Sequence, residues 1–323
     1  MTNQTSKLQP DTIINNYWGN NEQFADLFNA VLFQGRQVIK ATELRDMDTN
    51  ISSVIQHKKH IESMKGYRDK IKVAEKISST SGIHLVLLGL ENQTRIHYAM
   101  PIRTMGYDYA SYKRQYDINA TKYPKGNGLE GDEFLSKMKK TDKFAPIITV
   151  VIYYGKDPWD GAKSLHEMLD IPEEMVPYVN DYKMLLVEAR ENNLTLHNMN
   201  NRDLFNLLQI ILDNKLSPKE IREKAIQYDK EHNADASVVM AVAAATEAKI
   251  DYDVVEKEGA TMQSVFKEFE DEIKAEGKAE GIIQILLKQN KSDDEIISEL
   301  MSTLNISRNI AMEHLDNYNK NLL

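Results

Sequence analysis

The sequence predicts an α/β core followed by an all-helical C-terminal extension. Three observations lead to that fold class. Two short apolar runs, residues 83–90 and 147–154, are dominated by aliphatic and β-branched side chains and bounded by turn residues, as strands buried on both faces are. From Asp69 onward, Ile71, Val73 and Ile77 alternate with polar neighbours, the period of a half-buried strand. Past about residue 195 no strand pattern recurs, and apolar side chains return every three or four positions.

The elements follow in order. Residues 20–33 predict a helix, because Phe24, Leu27, Phe28 and Val31 fall at helical spacing and Asn20 or Asn21 can cap its start. Residues 37–65 are charged, show no clear period and are assigned to neither class. Residues 78–82, Ser-Ser-Thr-Ser-Gly, form a turn between the first two strands. A Tyr-rich stretch at 98–116 is expected to be helical over much of its length. Pro124, Gly126, Gly128 and Gly131 then mark a loop, expected to be mobile, inside an insertion around 117–145. Residues 184–187 add an edge strand. Helices are expected around Leu204–Leu212, over 218–226 behind Ser217, over the Ala-rich 234–248, over 263–288, from a Ser292-to-Glu295 capping box, and over 305–319. Gly277 and Gly281 lie inside the long helix at roughly 1 kcal/mol each, so a close helix approach or a bend is expected there. The expected division is a core over 1–190, a helical extension over 191–262, and acidic helices over 263–323 that mediate homo-oligomer or other partner contacts.

Composition excludes several classes. The 323 residues are 41% hydrophobic and 28% charged, ordinary for a soluble globular protein. There is no cysteine, which removes disulfide scaffolds, thiolate zinc sites, iron–sulfur clusters and cysteine nucleophiles. Residues 1–11 carry no apolar leader core, and the longest apolar stretch, at 83–90, is too short to span a bilayer, so a cytoplasmic protein without membrane contact is expected. Charge is unevenly placed. Residues 1–150 hold 21 Lys and Arg against 16 Asp and Glu, a net of +5, whereas residues 151–323 hold 19 against 33, a net of −14. A basic front suits a polyanion, and an acidic rear favours solubility; two ordinary solvated surfaces would look the same.

The segment with the most chemistry is 67–103. With the hairpin turn centred on Thr80, facing residues have a constant sum near 160, which sets Asp69 opposite Glu91. Their Cβ atoms would lie roughly 5 Å apart, and like charges so placed call for a cation between them. Gln93 shares a strand face with Glu91, and the backbone carbonyl of Asn92 is a further oxygen donor. Two carboxylates, a carbonyl and waters suit Mg²⁺, with Mn²⁺ as a substitute. The competing reading makes both acids solvated strand ends, and a one-residue slip would turn one of them to the other face.

Several runs together carry a resemblance: Phe24-Ala-Asp-Leu-Phe28, then Arg68-Asp69, then Leu87-Leu-Gly-Leu-Glu91-Asn-Gln93, then Met100-Pro-Ile-Arg103 followed by Tyr107, and finally Pro146 to Gly155 with Trp159 behind. Over about residues 15–190 the chain resembles the Rpn family of recombination-promoting nucleases and putative transposases, within the PD-(D/E)XK nuclease superfamily. The later Glu276-Gly-Lys-Ala-Glu-Gly281 is also similar to a helix of that family. The resemblance implies a restriction-endonuclease-like core, a mixed central sheet flanked by helices, and a Mg²⁺-dependent DNA endonuclease hydrolysing phosphodiester bonds in a recombination-related role. It implies that Asp69 and Glu91 hold the metal, with Glu22 the nearest acid to complete the site from the first helix. Gln93 would stand where the wider superfamily has lysine. An amide cannot ionise, so Gln93 can orient a water but cannot act as a general base. That departure, with the acidic rear half, motivates the alternative of a DNA-binding or regulatory protein that keeps the fold without cleavage.

Arg103, inside the matched motif, and Arg95 are the expected phosphate contacts, joined by Lys140 among Lys137, Lys139 and Lys143. His57 and His60 flank two lysines and are read as a solvated face rather than a metal site. Tyr98, Tyr107, Tyr109 and Tyr112 offer rings for base stacking, though packing is the commoner use. Residues 293–315 are too acidic for a DNA-reading helix pair.

Overall fold

The computed structural model describes residues 9–47, 50–57, 60–67, 69–78, 82–191, 193–248, 259–289, 291–304 and 306–320. The chain divides into two compact units, Met1–Glu247 and Ala248–Leu323.

The first unit is built on a five-stranded mixed sheet in the order β1-β4-β5-β6-β7. These strands are β1 (Leu44–Asp46), β4 (Lys70–Ser78), β5 (Gly82–Gln93), β6 (Ile147–Tyr153) and β7 (Leu185–Glu188). β4 and β5 pair antiparallel from Lys70↔Leu90 to Ser78↔Gly82, the register expected for a turn centred on Thr80. β1 also joins antiparallel, whereas β5, β6 and β7 run parallel. β5 is therefore central, and it runs three residues beyond its apolar stretch to include Glu91, Asn92 and Gln93. β7 is the edge strand that its short run predicts.

Residues 37–65, unassigned from sequence, supply β1 and a separate hairpin of β2 (Asn50–His57) and β3 (His60–Tyr67) packed beside helix α3. In β2 the apolar residues Ile51, Val54 and Ile55 are spaced by three and one, so no period of two marks the strand.

Helices cover both faces of the sheet. On one face lie α1 (Pro10–Tyr17) and α2 (Asn21–Phe33). Asn20 caps α2 as expected, its side chain accepting from the backbone N–H groups of Glu22 and Gln23. Lys72 of β4 points to this side with no solvent exposure, and its ammonium donates to the Gly19 carbonyl at 2.8 Å, Asn21 Oδ1 at 2.7 Å and Asp46 Oδ1 at 2.8 Å. Three acceptors meet its three donors, which is how a buried lysine is tolerated. The opposite face carries α3 (Met100–Ala120), tied to β6 where the Thr149 hydroxyl donates to Asp108 Oδ1 at 2.7 Å. Tyr182 donates to the other Asp108 oxygen. Met100, Val151, Tyr153, Trp159 and Met184 form a small core there, with Tyr153 and Trp159 edge to face at 5.2 Å. Gly155 is glycine because a Cβ would collide with the Tyr153 phenol.

The segment after α3 holds a 3-10 turn (Pro124–Gly126) and the short helix α4 (Asp132–Ser136). Asp142 gathers it, accepting from Asn119 Nδ2 at 2.8 Å, the Tyr123 hydroxyl at 2.9 Å and the Lys139 N–H at 2.8 Å.

The helices α5 (Met199–Ile211), α6 (Pro218–His232) and α7 (Ala236–Ala245) follow the sheet. They belong to the first unit: α1 packs against α7 and α2 against α5. Asn201 of α5, wholly buried, donates to the Gln23 carbonyl at 2.8 Å and to Asp26 Oδ2 at 3.0 Å. The change at residue 190 is one of secondary structure, not of folding unit.

The second unit contains α8 (Met262–Lys288), α9 (Asp293–Leu304) and α10 (Arg308–Lys320) around Ala279, Ile283, Ile296, Ile297, Leu300, Ala311 and Leu315. A Cβ at Gly281 would meet open space, so close helix packing is not what requires glycine there. Among the described residues no helix is long and apolar enough to cross a membrane.

Candidate functional site

The candidate site lies where β4 begins and β5 ends. Along β5 the odd residues bond to β6, with Leu87 donating to the Pro146 carbonyl and the Gln93 carbonyl accepting from Tyr154, so the even residues face β4. Asn92 is the last of these, one step past the Lys70↔Leu90 pair. Its N–H finds the side chain of Asp69 instead of a strand backbone, donating to Oδ2 at 2.6 Å. The same alternation puts the Asn92 carbonyl on the β4 edge of the strand, beside Asp69. Burial raises the Asp69 pKa above its ordinary value, and the charge of Asp11 adds to the rise; the Asn92 N–H and Arg103 oppose it.

Glu91 is 1% exposed and faces the α3 side of the sheet. There Arg103, in the first turn of α3, lies within electrostatic reach of both carboxylates. Burial works against its charge. The hydrogen bond to Tyr107 and the charges of Tyr107, Glu91 and Asp69 outweigh burial and hold its pKa above the usual value. Arg103 Nε donates to the Tyr107 hydroxyl at 2.7 Å, one turn along the same helix, and the guanidinium stands 5.7 Å from that ring centre. Burial, with Glu91 and Asp69 nearby, pushes the Tyr107 phenol up, against the pull of Arg103. The arrangement is a buried acid, a half-buried acid and one oriented guanidinium at a single strand end.

Gln93 lies two residues beyond Glu91 on β5, half-buried, paired in register with Tyr153. The side chain of Asn92 points the other way, towards α1. Its Oδ1 accepts from the Tyr154 hydroxyl at 2.9 Å, and its Nδ2 donates to Asn15 Oδ1 at 3.5 Å. Trp18 Nε1 in turn donates to the Tyr154 oxygen at 3.1 Å.

The donor set fits a hard divalent cation. Carboxylates on Asp69 and Glu91 and the Asn92 carbonyl are oxygen ligands, and Mg²⁺ characteristically takes one or two carboxylates while keeping several waters. Among the described residues no group of three or more His, Cys, Asp or Glu side chains is placed to hold a metal ion.

The other expected residues fall elsewhere. Glu22 is exposed in the first turn of α2, and the acid whose charge acts on Asp69 is Asp11 of α1. Arg95 is exposed just beyond β5. Lys139 and Lys140 line a depression together with Glu130, Asp132 and Glu133, so that patch has mixed sign rather than the single sign a phosphate contact favours. Tyr98, Tyr109 and Tyr112 are exposed at 65%, 47% and 39%, and the Tyr112 hydroxyl also accepts from the Ile147 N–H. Arg68, Lys58 and Lys59 lie outside the described residues, as do the side chains of His57 and His60.

Sequence reasoning missed Asp11, Asn15, Trp18 and Tyr154. Of these only Tyr154 stood in a noticed motif, and nothing local marked it as a partner of Asn92. Comparison with family models, with curated proteins and with solved structures gave no match.

Proposed function

We propose that the chain is a metal-dependent DNA endonuclease with a PD-(D/E)XK-like core, hydrolysing phosphodiester bonds with Mg²⁺ or Mn²⁺ in a recombination-related role. The observation that supports this reading is that Asp69, just before β4, and Glu91 of β5 both lie within electrostatic reach of Arg103 at one end of the sheet. Asp69, Glu91 and the Asn92 carbonyl would hold the ion, which when bound supplies a water of lowered pKa. Arg103, with one donor committed to Tyr107, keeps others for a phosphate oxygen. Gln93 orients water by hydrogen bonding and takes no proton, so it is not the general base.

A second reading, DNA binding without cleavage, is favoured by one observation: Arg103 already offsets the charge of both acids. Nicking of supercoiled plasmid in Mg²⁺ or Mn²⁺ separates the two. Cleavage by the parent that is lost in Glu91→Ala supports the nuclease. An Asp69→Ala protein nicking as fast as the parent removes the site assignment. Metal-independent DNA binding with no nicking by the parent, over a range of salt, leaves the binding protein.

A further inference from the structure

Asn92 lies between Glu91 and Gln93 at the end of β5, yet its side chain leaves through the opposite face of the sheet. What it meets there is the half-buried Asn15 and two buried aromatic side chains. Trp18 is wholly buried and Tyr154 is 3% exposed. An indole N–H can only donate, so the Trp18 contact at 3.1 Å uses the Tyr154 oxygen as acceptor. The single Tyr154 proton is then left for Asn92 Oδ1, at 2.9 Å. The direction of each bond is thus fixed by donor chemistry. The Asn92 amide is forced to turn its oxygen to Tyr154 and its nitrogen to Asn15. A side chain held in this way fixes its own backbone, and the backbone N–H of residue 92 is the group that binds Asp69 Oδ2 at 2.6 Å.

We propose that Asn92, clamped through Tyr154 and Trp18 on the α1 side of the sheet, is a positioning residue that holds the Asp69 carboxylate in place for a divalent cation. The proposal rests on the metal-dependent reading above and adds a role for the Asn92 side chain and for Tyr154 and Trp18, none of which touches the ion. Groups orienting a ligand in this way typically change metal affinity by about 10–100-fold when removed.

The test is Mn²⁺ affinity of the full chain, followed by electron paramagnetic resonance well below the melting temperature. Tyr154→Phe deletes the hydroxyl that bonds Asn92 and keeps the ring. Tyr17→Phe is its control: it removes another buried tyrosine hydroxyl, one bonded to Asn201 rather than to Asn92. We expect Mn²⁺ to bind about tenfold more weakly to Tyr154→Phe, with Tyr17→Phe like the parent. Equal affinity in Tyr154→Phe and parent, or an equal loss in Tyr17→Phe, overturns the positioning role while leaving the metal site standing. Absence of binding by the parent at millimolar Mn²⁺ overturns the metal-dependent reading and this inference with it. Should Tyr154→Phe fail to fold, Trp18→Phe takes its place, with a smaller loss in the same direction expected and parent-like affinity counting against the proposal.

Discussion

The Tyr17 hydroxyl donates a 3.0 Å hydrogen bond to Asn201 Oδ1, joining α1 to α5 across 184 positions. Asn201 spends both its amide hydrogens as well, on the Gln23 carbonyl and Asp26 Oδ2. One side chain thereby ties together the three helices α1, α2 and α5.

Asn201→Ala should therefore leave several buried polar groups without a partner, each costing about 1–3 kcal/mol. A loss of about 3 kcal/mol in the stability of the first unit is expected, read from the urea midpoint at unchanged slope. A shift of less than about 0.5 kcal/mol, the size of an ordinary surface change, would show that the cluster is not coupled to folding.

Asp69 should trade stability for site chemistry. Its folded pKa is raised above the unfolded value, chiefly by burial. A raised carboxyl contributes stability that is fully present below the unfolded pKa, near 3.8, and is lost as pH rises through the folded value. At neutral pH the buried charge is a net penalty. Asp69→Asn, which retains an oxygen for the Asn92 N–H, should melt above the parent at pH 7 in metal-free buffer, and the gap should close towards pH 3. A variant melting below the parent at pH 7 would contradict this account of the buried charge.

Lys72→Met removes the donor shared by Gly19, Asn21 and Asp46. The expected loss is about 1–3 kcal/mol, held down because Asp46 is 61% exposed and can return to water. The variant should also change the acid limb. Burial tends to raise the Asp46 pKa, but Lys72 and Lys70 outweigh it and lower the value, so the parent draws stability from the ionised form above pH 3.8 and loses it as pH falls through the folded value. In Lys72→Met the acid unfolding profile should flatten over that window, as followed by circular dichroism. An unchanged acid limb would mean that Lys72 does not set the Asp46 titration.

The second unit offers a separate acid-sensitive point. Glu295 is lowered to about 2, first by Lys291 at 2.7 Å and then by Ser292. A depressed carboxyl contributes above its unfolded pKa of 4.5 and loses that contribution as pH falls towards 2. Glu295→Gln should lower α9 helicity at pH 7, with the difference from the parent shrinking as pH falls towards 2, when the isotope exchange of α9 amides is compared. Equal protection at both pH values would remove Glu295 from the capping of this helix.

How much of this was legible follows from where the information lies along the chain. The β4–β5 register was readable because a turn cluster and a period of two sit within 25 residues of each other, and a constant sum fixes every facing pair. Arg103 was readable from its motif. Asp11 was not, since an acid in the first turn of a short polar-looking helix has nothing to distinguish it from a solvated one. α1 itself escaped notice because its apolar residues, Ile13, Ile14 and Tyr17, are few and their partner α7 is more than 200 positions away. The Tyr154–Asn92 contact spans 62 positions and crosses from one strand end to another, so only the folded sheet brings it together.

The packing of α1 against α7 also sets a schedule. In synthesis from the N-terminus, Asp69, Glu91 and Arg103 all emerge well before Ala236–Ala245 has been made. At ribosomal speeds of about 5–20 residues per second, on the order of 10–50 s separate the appearance of α1 from that of its cover. Throughout that interval the apolar side of α1, and through Asn15 and Trp18 the seat of Asn92, lacks the helix that closes over it. A nascent chain therefore carries every side chain of the site before it owns a finished one, and the last helix of the first unit acts as the latch that completes it.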